Sequence, residues 1–366
     1  MGTLLLGRYM VEAKLAQGGT SAVYRGVHES LGRTVAIKVM HRDISRRPDM
    51  AKRLLQEGRA MCRIRHENIA DVTDFGATLN GDMVLVMEYL EGETLDMLVE
   101  REGALPWRRA RAIALQICAG TEAAHLAGVI HRDLTLANCM RVPRAGDDFV
   151  KLIDFGIACP RDDRPAVVDG PRLTSYTEIF GTPEFMPPEQ ARSARLADVR
   201  SDIYAIGVQL YALVTGRVPF QGPTAMDTLV MQMHDTPVAP SQLVPQLSAA
   251  VDRVILRAMA KDPGERYQSI AELVADLREI SEVDAVVVED STASDDRRHV
   301  DAAIESDRDD APSRPPSRGL LAMLATALLA IGYLAGFPQH AADSTQLTLR
   351  ALDDALSRGL ELARAP

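Results

Sequence analysis

Apolar positions in the first third of the chain fall in short runs rich in β-branched residues, separated by turn signals. Val23 and Val27, then Val35-Ala36-Ile37, then Val84-Leu85-Val86 read as extended strands. Beyond Thr94 the apolar spacing becomes helical, as from Ala110 to His125 and from Ser201 to Leu213. Strands first and helices after predict an α+β domain, with a small sheet lobe and a larger helical lobe, over residues 9–280.

After Ile280 the pattern breaks. Residues 281–318 are dominated by Asp, Glu, Ser, Arg and Pro, with only Val286-Val287-Val288 to bury, and read as a disordered acidic linker. Residues 319–337 then give nineteen positions without a charge, closed by Pro338. That length matches a bilayer crossing, and the residues that follow are too few to wrap a buried core helix. Arg314 and Arg318 stand just before the span, and no Lys or Arg follows until Arg350. The positive-inside rule therefore predicts a single-pass protein of the bacterial cytoplasmic membrane, its N-terminal domain inside and residues 338–366 outside. So short a tail suits dimerisation or simple anchoring, and leucines from Leu347 to Leu362 outline an amphipathic helix.

Composition adds exclusions. A net charge of -10 argues against a nucleic-acid binder, which needs a basic face to displace counterions. Cys62, Cys118, Cys139 and Cys159 are too scattered for a zinc site or a disulfide framework, and read as reduced, packed thiols. The opening MGTLLLGRYM has no basic leader, and Leu6 stands where a myristoylation motif wants Ser or Thr, so neither signal is expected.

The chemistry lies in motifs of fixed order. Leu15-Ala16-Gln17-Gly18-Gly19-Thr20-Ser21-Ala22-Val23 is a tight turn between strands, whose small residues let backbone N–H groups approach phosphates. Alone it is weak, because Gly-Gly turns commonly just connect strands. Lys38 ends the apolar run Val35-Ala36-Ile37, a costly place for an ammonium unless it meets anions. An edge-strand lysine facing water is the alternative. Glu57 lies on a helix-period stretch, as a solvated acid or as the partner of Lys38. His131-Arg132-Asp133-Leu134-Thr135-Leu136-Ala137-Asn138 follows, and sixteen residues past Asn138 comes Asp154-Phe155-Gly156.

With these motifs in this order, the chain resembles the eukaryotic-type serine/threonine protein kinases found in bacteria. The likeness continues through Gly181-Thr182-Pro183-Glu184-Phe185-Met186-Pro187-Pro188-Glu189 and Asp198 to Tyr204, as far as Lys261-Asp262-Pro263 and Arg266. It implies a two-lobed kinase fold and ATP-dependent transfer to serine or threonine of protein substrates, with Mg²⁺, or alternatively Mn²⁺, as the metal. Lys38 would hold the α- and β-phosphates with Glu57 as its ion-pair partner, and Asn138 and Asp154 would bind the metal. Asp133 would accept the substrate proton. The phosphate loop would supply Leu15, Ala16, Gly18, Gly19 and Ser21. The adenine would lie between Val23 and Ala36, against the backbone of Glu88 and Leu90. Glu189 with Arg266, and Asp202, are implied as structural supports. Arg132 beside Asp133 implies activation by phosphate on Thr174, Ser175 or Thr177.

Four positions depart from the family pattern. Ala16 and Ser21 replace the first and third glycines of the phosphate loop, and Pro187 replaces an alanine. Thr135 stands where serine/threonine kinases carry a lysine for the γ-phosphate. Losing one charge-assisted contact there costs about a hundredfold in rate. The rival reading is a membrane-anchored pseudokinase that serves as a nucleotide-binding scaffold. A kinase for small molecules is disfavoured, because Gly181 to Glu189 resembles a protein-substrate docking loop.

Overall fold

Strand β4 (Arg33–Met40) shows how the sequence builds the first lobe. Its side chains alternate between the two faces of the sheet. Val35 and Ile37 join Tyr9, Val84 and Val86 in one buried cluster. Met40, with Ala36 packed nearby, joins Met83, Leu85 and Met87 in the other. Lys38 shares the second face. A one-residue slip would exchange it with Ile37, so the two apolar clusters fix its position.

The computed structural model describes residues 2–18, 21–40, 58, 60–78, 80–144, 147–155 and 182–280. The predicted linker 281–318, membrane span 319–337 and tail 338–366 lie outside them, as do Gly19, Glu57, Cys159, Thr174, Ser175 and Thr177. Among the described residues no helix is long and apolar enough to cross a membrane.

β4 belongs to a six-stranded antiparallel sheet with β1 (Leu4–Leu5), β2 (Tyr9–Gln17), β3 (Ser21–His28), β5 (Val72–Ala77) and β6 (Met83–Glu88). The order is β1-β2-β3-β4-β6-β5. Beyond it, α1 (Leu95–Glu102) and α2 (Trp107–Leu126) begin the helical lobe. The central helix is α4 (Val199–Thr215), in which every residue from Ser201 to Val214 is buried. A helix buried all round needs neighbours on every side. It starts at a capping box between Asp198 and Ser201 and stops at Gly216, whose φ of 74° favours glycine. Gly207 lets α7 (Ala249–Ala258) approach, since a Cβ there would lie 2.9 Å from that of Ala258. Short helices α3 (Pro188–Arg192) and α6 (Pro240–Leu243), with α5 (Ala225–His234) and α8 (Ile270–Glu279), complete the lobe.

One element of the helical lobe lies outside the strands-then-helices reading. β7 (Glu93–Thr94), β8 (Cys139–Arg144) and β9 (Asp147–Leu152) form a small antiparallel sheet. Its polar, arginine-rich strands and Pro143 hide the alternation that marks a half-buried strand. The sheet ties the lobes together: Ala70 N donates to Leu152 O at 2.9 Å, and Leu152 N to Asn68 O at 2.8 Å. β9 thereby carries the chain into Asp154 at a fixed height.

Candidate active site

The strand register places the upper half of the site. Val23 lies opposite both Ala16 on β2 and Lys38 on β4, while Ala36 lies opposite Met87 on β6. Val23 and Ala36 are half-buried on neighbouring strands and share one face of the sheet, so they form one wall over the cleft rather than two sides of a slot as the resemblance implied. The turn between β2 and β3 is drawn in by Gly18 N, which donates to Ser21 O at 2.8 Å. In the connector after β6, the Glu88 carboxylate accepts from Lys151 Nζ at 2.8 Å and from Asp71 N at 3.2 Å. Its backbone N–H is engaged as well, donating to Asp71 O at 2.9 Å.

Lys38 is 9% exposed, and its Nζ lies 2.5 Å from Asp154 Oδ1. The lysine that the sequence places in an apolar strand thus meets its anion across the cleft, 116 residues away along the chain. Asp154 holds a φ of 61°, unusual outside glycine.

The lower half is the loop from His131 to Asn138. Arg132 also has a left-handed φ, 64°, and its neighbours impose it. Asp202 on α4, 1% exposed, accepts from His131 N at 2.8 Å, Arg132 N at 2.9 Å and His125 Nε2 at 2.7 Å. On the other side, Gln190 Nε2 donates to Arg132 O at 2.7 Å. The next residue, Asp133, is clasped by Asn138, whose Nδ2 donates to its backbone O at 2.7 Å and to Oδ2 at 3.2 Å. The Thr182 N–H also donates to this carboxylate. Burial raises the pKa of Asp133 above the ordinary aspartate value, and the nearby Asp154 carboxylate adds to the rise. His131 is fully buried and stacks on Phe155 with ring centroids 4.4 Å apart; burial lowers its pKa below the ordinary histidine value. Thr135, 2% exposed, caps the turn Leu136–Asn138, accepting from Asn138 N at 3.2 Å.

The oxygen donors fit a hard cation. Because Asn138 turns its Nδ2 toward Asp133, its amide oxygen is left as an acceptor, and Asp154 adds a carboxylate. Among the described residues no cluster of three His, Cys, Asp or Glu side chains forms a metal site of its own. A cation held by Asn138 and Asp154 would therefore complete its shell with phosphate oxygens and water.

A known family model, the protein kinase domain, matches residues 9–276, which include the wall over the cleft, the clasped aspartate and the Lys38–Asp154 pair. The chain belongs to the protein kinase family. This kinase is 38% identical over 283 residues to the serine/threonine-protein kinase pkn3 of Myxococcus xanthus, covering 76% of this chain and 51% of that one. It is 40% identical over 268 residues to Pkn1 of the same organism, covering 72% and 37%, and 36% identical over 276 residues to PknB of Mycobacterium leprae, covering 75% and 43%. The chain thus spans about half or less of the length of these relatives. The kinase domain of Mycobacterium tuberculosis PknI shares the fold at a TM-score of 0.59 and 24% identity, covering 76% of this chain and 98% of that one.

The structure brings together Lys38, Asp133, Thr135, Asn138 and Asp154, while Glu57 and the activation-segment hydroxyls are outside the described residues. Glu189 and Arg266 form a bidentate pair at 2.7 and 2.8 Å, and Ser201 Oγ donates to the same carboxylate at 2.7 Å. Pro187 fits as the residue before α3, with φ −69° and ψ 151°. Cys62, Cys118 and Cys139 are free thiols, and burial pushes Cys118 up to about 12. Sequence reasoning missed Gln190, His125 and Lys151. Each acts through one hydrogen bond to a residue distant in sequence, so no local spacing announces it. The fact that Gln190 directly follows the buried Glu189 was the only available signal.

Proposed function

We propose that this protein is a working serine/threonine kinase, transferring the γ-phosphoryl group of ATP to serine and threonine hydroxyls of protein substrates. The observation that carries this reading is the convergence of Lys38, Asp154, Asn138 and Asp133, a cation, two hard oxygen donors and a base, across one cleft. Bound Mg²⁺, or Mn²⁺ in its place, would neutralise charge on the phosphates. Lys38 adds a second positive charge from the strand side. Asp133, clasped by Asn138 and the Thr182 amide, faces the substrate side and takes the hydroxyl proton. Its raised pKa makes it a better proton acceptor than an ordinary aspartate. Thr182 is exposed beside it, where a protein substrate would lie.

The same proposal includes autophosphorylation on Thr174, Ser175 or Thr177, read by Arg132. It also includes anchoring through residues 319–337, with the kinase domain on the cytoplasmic side and a tail that supports dimerisation. The pseudokinase reading is favoured only by Thr135. Phosphopeptide mapping of the full chain after incubation with MgATP tests the proposal. Phosphoserine or phosphothreonine within residues 157–180 supports it; modification confined to tyrosine, or none, overturns it.

A further inference from the structure

At position 135 the family pattern calls for a cation, and this chain supplies a hydroxyl with a different task. Thr135 is 2% exposed, and its Oγ1 accepts from Asn138 N at 3.2 Å, while its carbonyl accepts from the same N–H at 3.1 Å. Asn138 is thereby held from below by a two-acceptor cap. From that fixed point its Nδ2 grips Asp133 at 2.7 and 3.2 Å, and its carbonyl accepts from Ile153 N at 2.9 Å, next to Asp154. One backbone amide thus links Thr135 to the base and to both metal-site residues.

We infer that Thr135 is a positioning residue: its hydroxyl sets the height of Asn138, and through it the geometry of the metal site and of Asp133. A lysine at this place has three donors and no acceptor, so it brings a charge but cannot make the cap. Threonine suits the role because its branched Cβ restricts χ1, holding Oγ1 over the turn without the entropy a long side chain loses. A small cavity beside it is lined by Asp133, Thr135, Thr182 and Gln190. The hydroxyl points to Asn138 instead. The position has exchanged direct charge for order in the loop.

The inference rests on the kinase reading, and the test separates the two. In the full chain, Thr135→Val keeps the shape and removes the acceptor, Thr135→Ser keeps the acceptor, and Thr135→Lys adds the charge. Magnesium is titrated in two assays, phosphotransfer and calorimetric binding of ADP. The expected result is a rise of about fivefold in the Mg²⁺ concentration needed for half-maximal effect in Thr135→Val, restored in Thr135→Ser, with the unfolding temperature nearly unchanged. Thr135→Lys brings the charge but loses the cap, so it should share the raised Mg²⁺ requirement of Thr135→Val whatever its rate. A wild-type Mg²⁺ requirement in Thr135→Val, or in Thr135→Lys, would overturn the inference. If the wild type transfers no phosphate, the kinase reading fails, and Mg²⁺-dependent ADP binding still decides the role of Thr135.

Discussion

Asp202→Ala removes the acceptor that holds the catalytic loop in its left-handed turn. Three donors lose their partner: His131 N, Arg132 N and His125 Nε2, all within 2.9 Å of the carboxylate. Two of them are backbone amides packed against α4. Stranding a buried amide costs about 1–3 kcal/mol. Against this, Arg132 can leave its φ of 64° and recover about 1–2 kcal/mol of backbone strain. The net loss is about 2–4 kcal/mol, which lowers the unfolding temperature by roughly 4–7 °C in a domain of this size. Activity should fall further than stability suggests. A loop that relaxes at Arg132 moves Asp133, and a misplacement of ~1 Å costs about a hundredfold in kcat. Thermal unfolding and steady-state phosphotransfer on the same preparation measure both effects. An unfolding temperature within about a degree of wild type, with kcat unchanged, would refute the claim that Asp202 imposes the loop geometry.

Other outcomes follow from the same contacts. Arg266→Met leaves the Glu189 carboxylate buried without its bidentate partner and exposes three carbonyls that Arg266 now satisfies, those of Ala260, Arg200 and Lys261. It should cost about 3–5 kcal/mol by chemical denaturation. The acid limb of kcat/KM should lie above the ordinary aspartate range, because Asp133 must lose its proton to act and its pKa is raised. The same shift has a stability sign. A carboxyl whose folded pKa exceeds its unfolded value favours the fold at low pH, and that support is lost as pH rises through the folded pKa. Asp133→Asn should therefore melt higher than wild type at neutral pH, with the difference vanishing in acid. Lys261 is pushed by burial from the ordinary lysine value to about 8, its Nζ donating to Gln232 O at 2.6 Å. Between that pH and about 10.5 the unfolded chain binds more protons, so stability gains from this group as pH rises. Lys261→Met should remove that slope in melts taken across the window.

Much of this was legible in the sequence because the decisive signals are local. Lys38 stands out as a charge inside an apolar strand, and β-branched runs mark β3, β4 and β6. Helices α2 and α4 extend the predicted apolar stretches by only a few residues at each end. Other features were not legible, for a physical reason. The β7-β8-β9 sheet is built from polar strands, whose side chains pair as ions, as Arg141 does with Glu93 at 3.0 Å. Gln190 acts on Arg132 from 58 residues away, a contact that exists only once the helical lobe has packed, whereas Asp202, 70 residues away, was named through the family resemblance alone. Thr135 was visible as a departure from the family pattern. Only its bond to Asn138 shows what the hydroxyl does instead.

The most direct measurement is phosphotransfer from γ-labelled MgATP by the full chain, comparing wild type with Asp133→Asn in parallel with nucleotide binding. The expected result is label on serine or threonine with wild type, and a loss of about a hundredfold or more with Asp133→Asn at unchanged ATP affinity. Equal, background-level transfer by both would contradict a kinase and leave a nucleotide-binding scaffold.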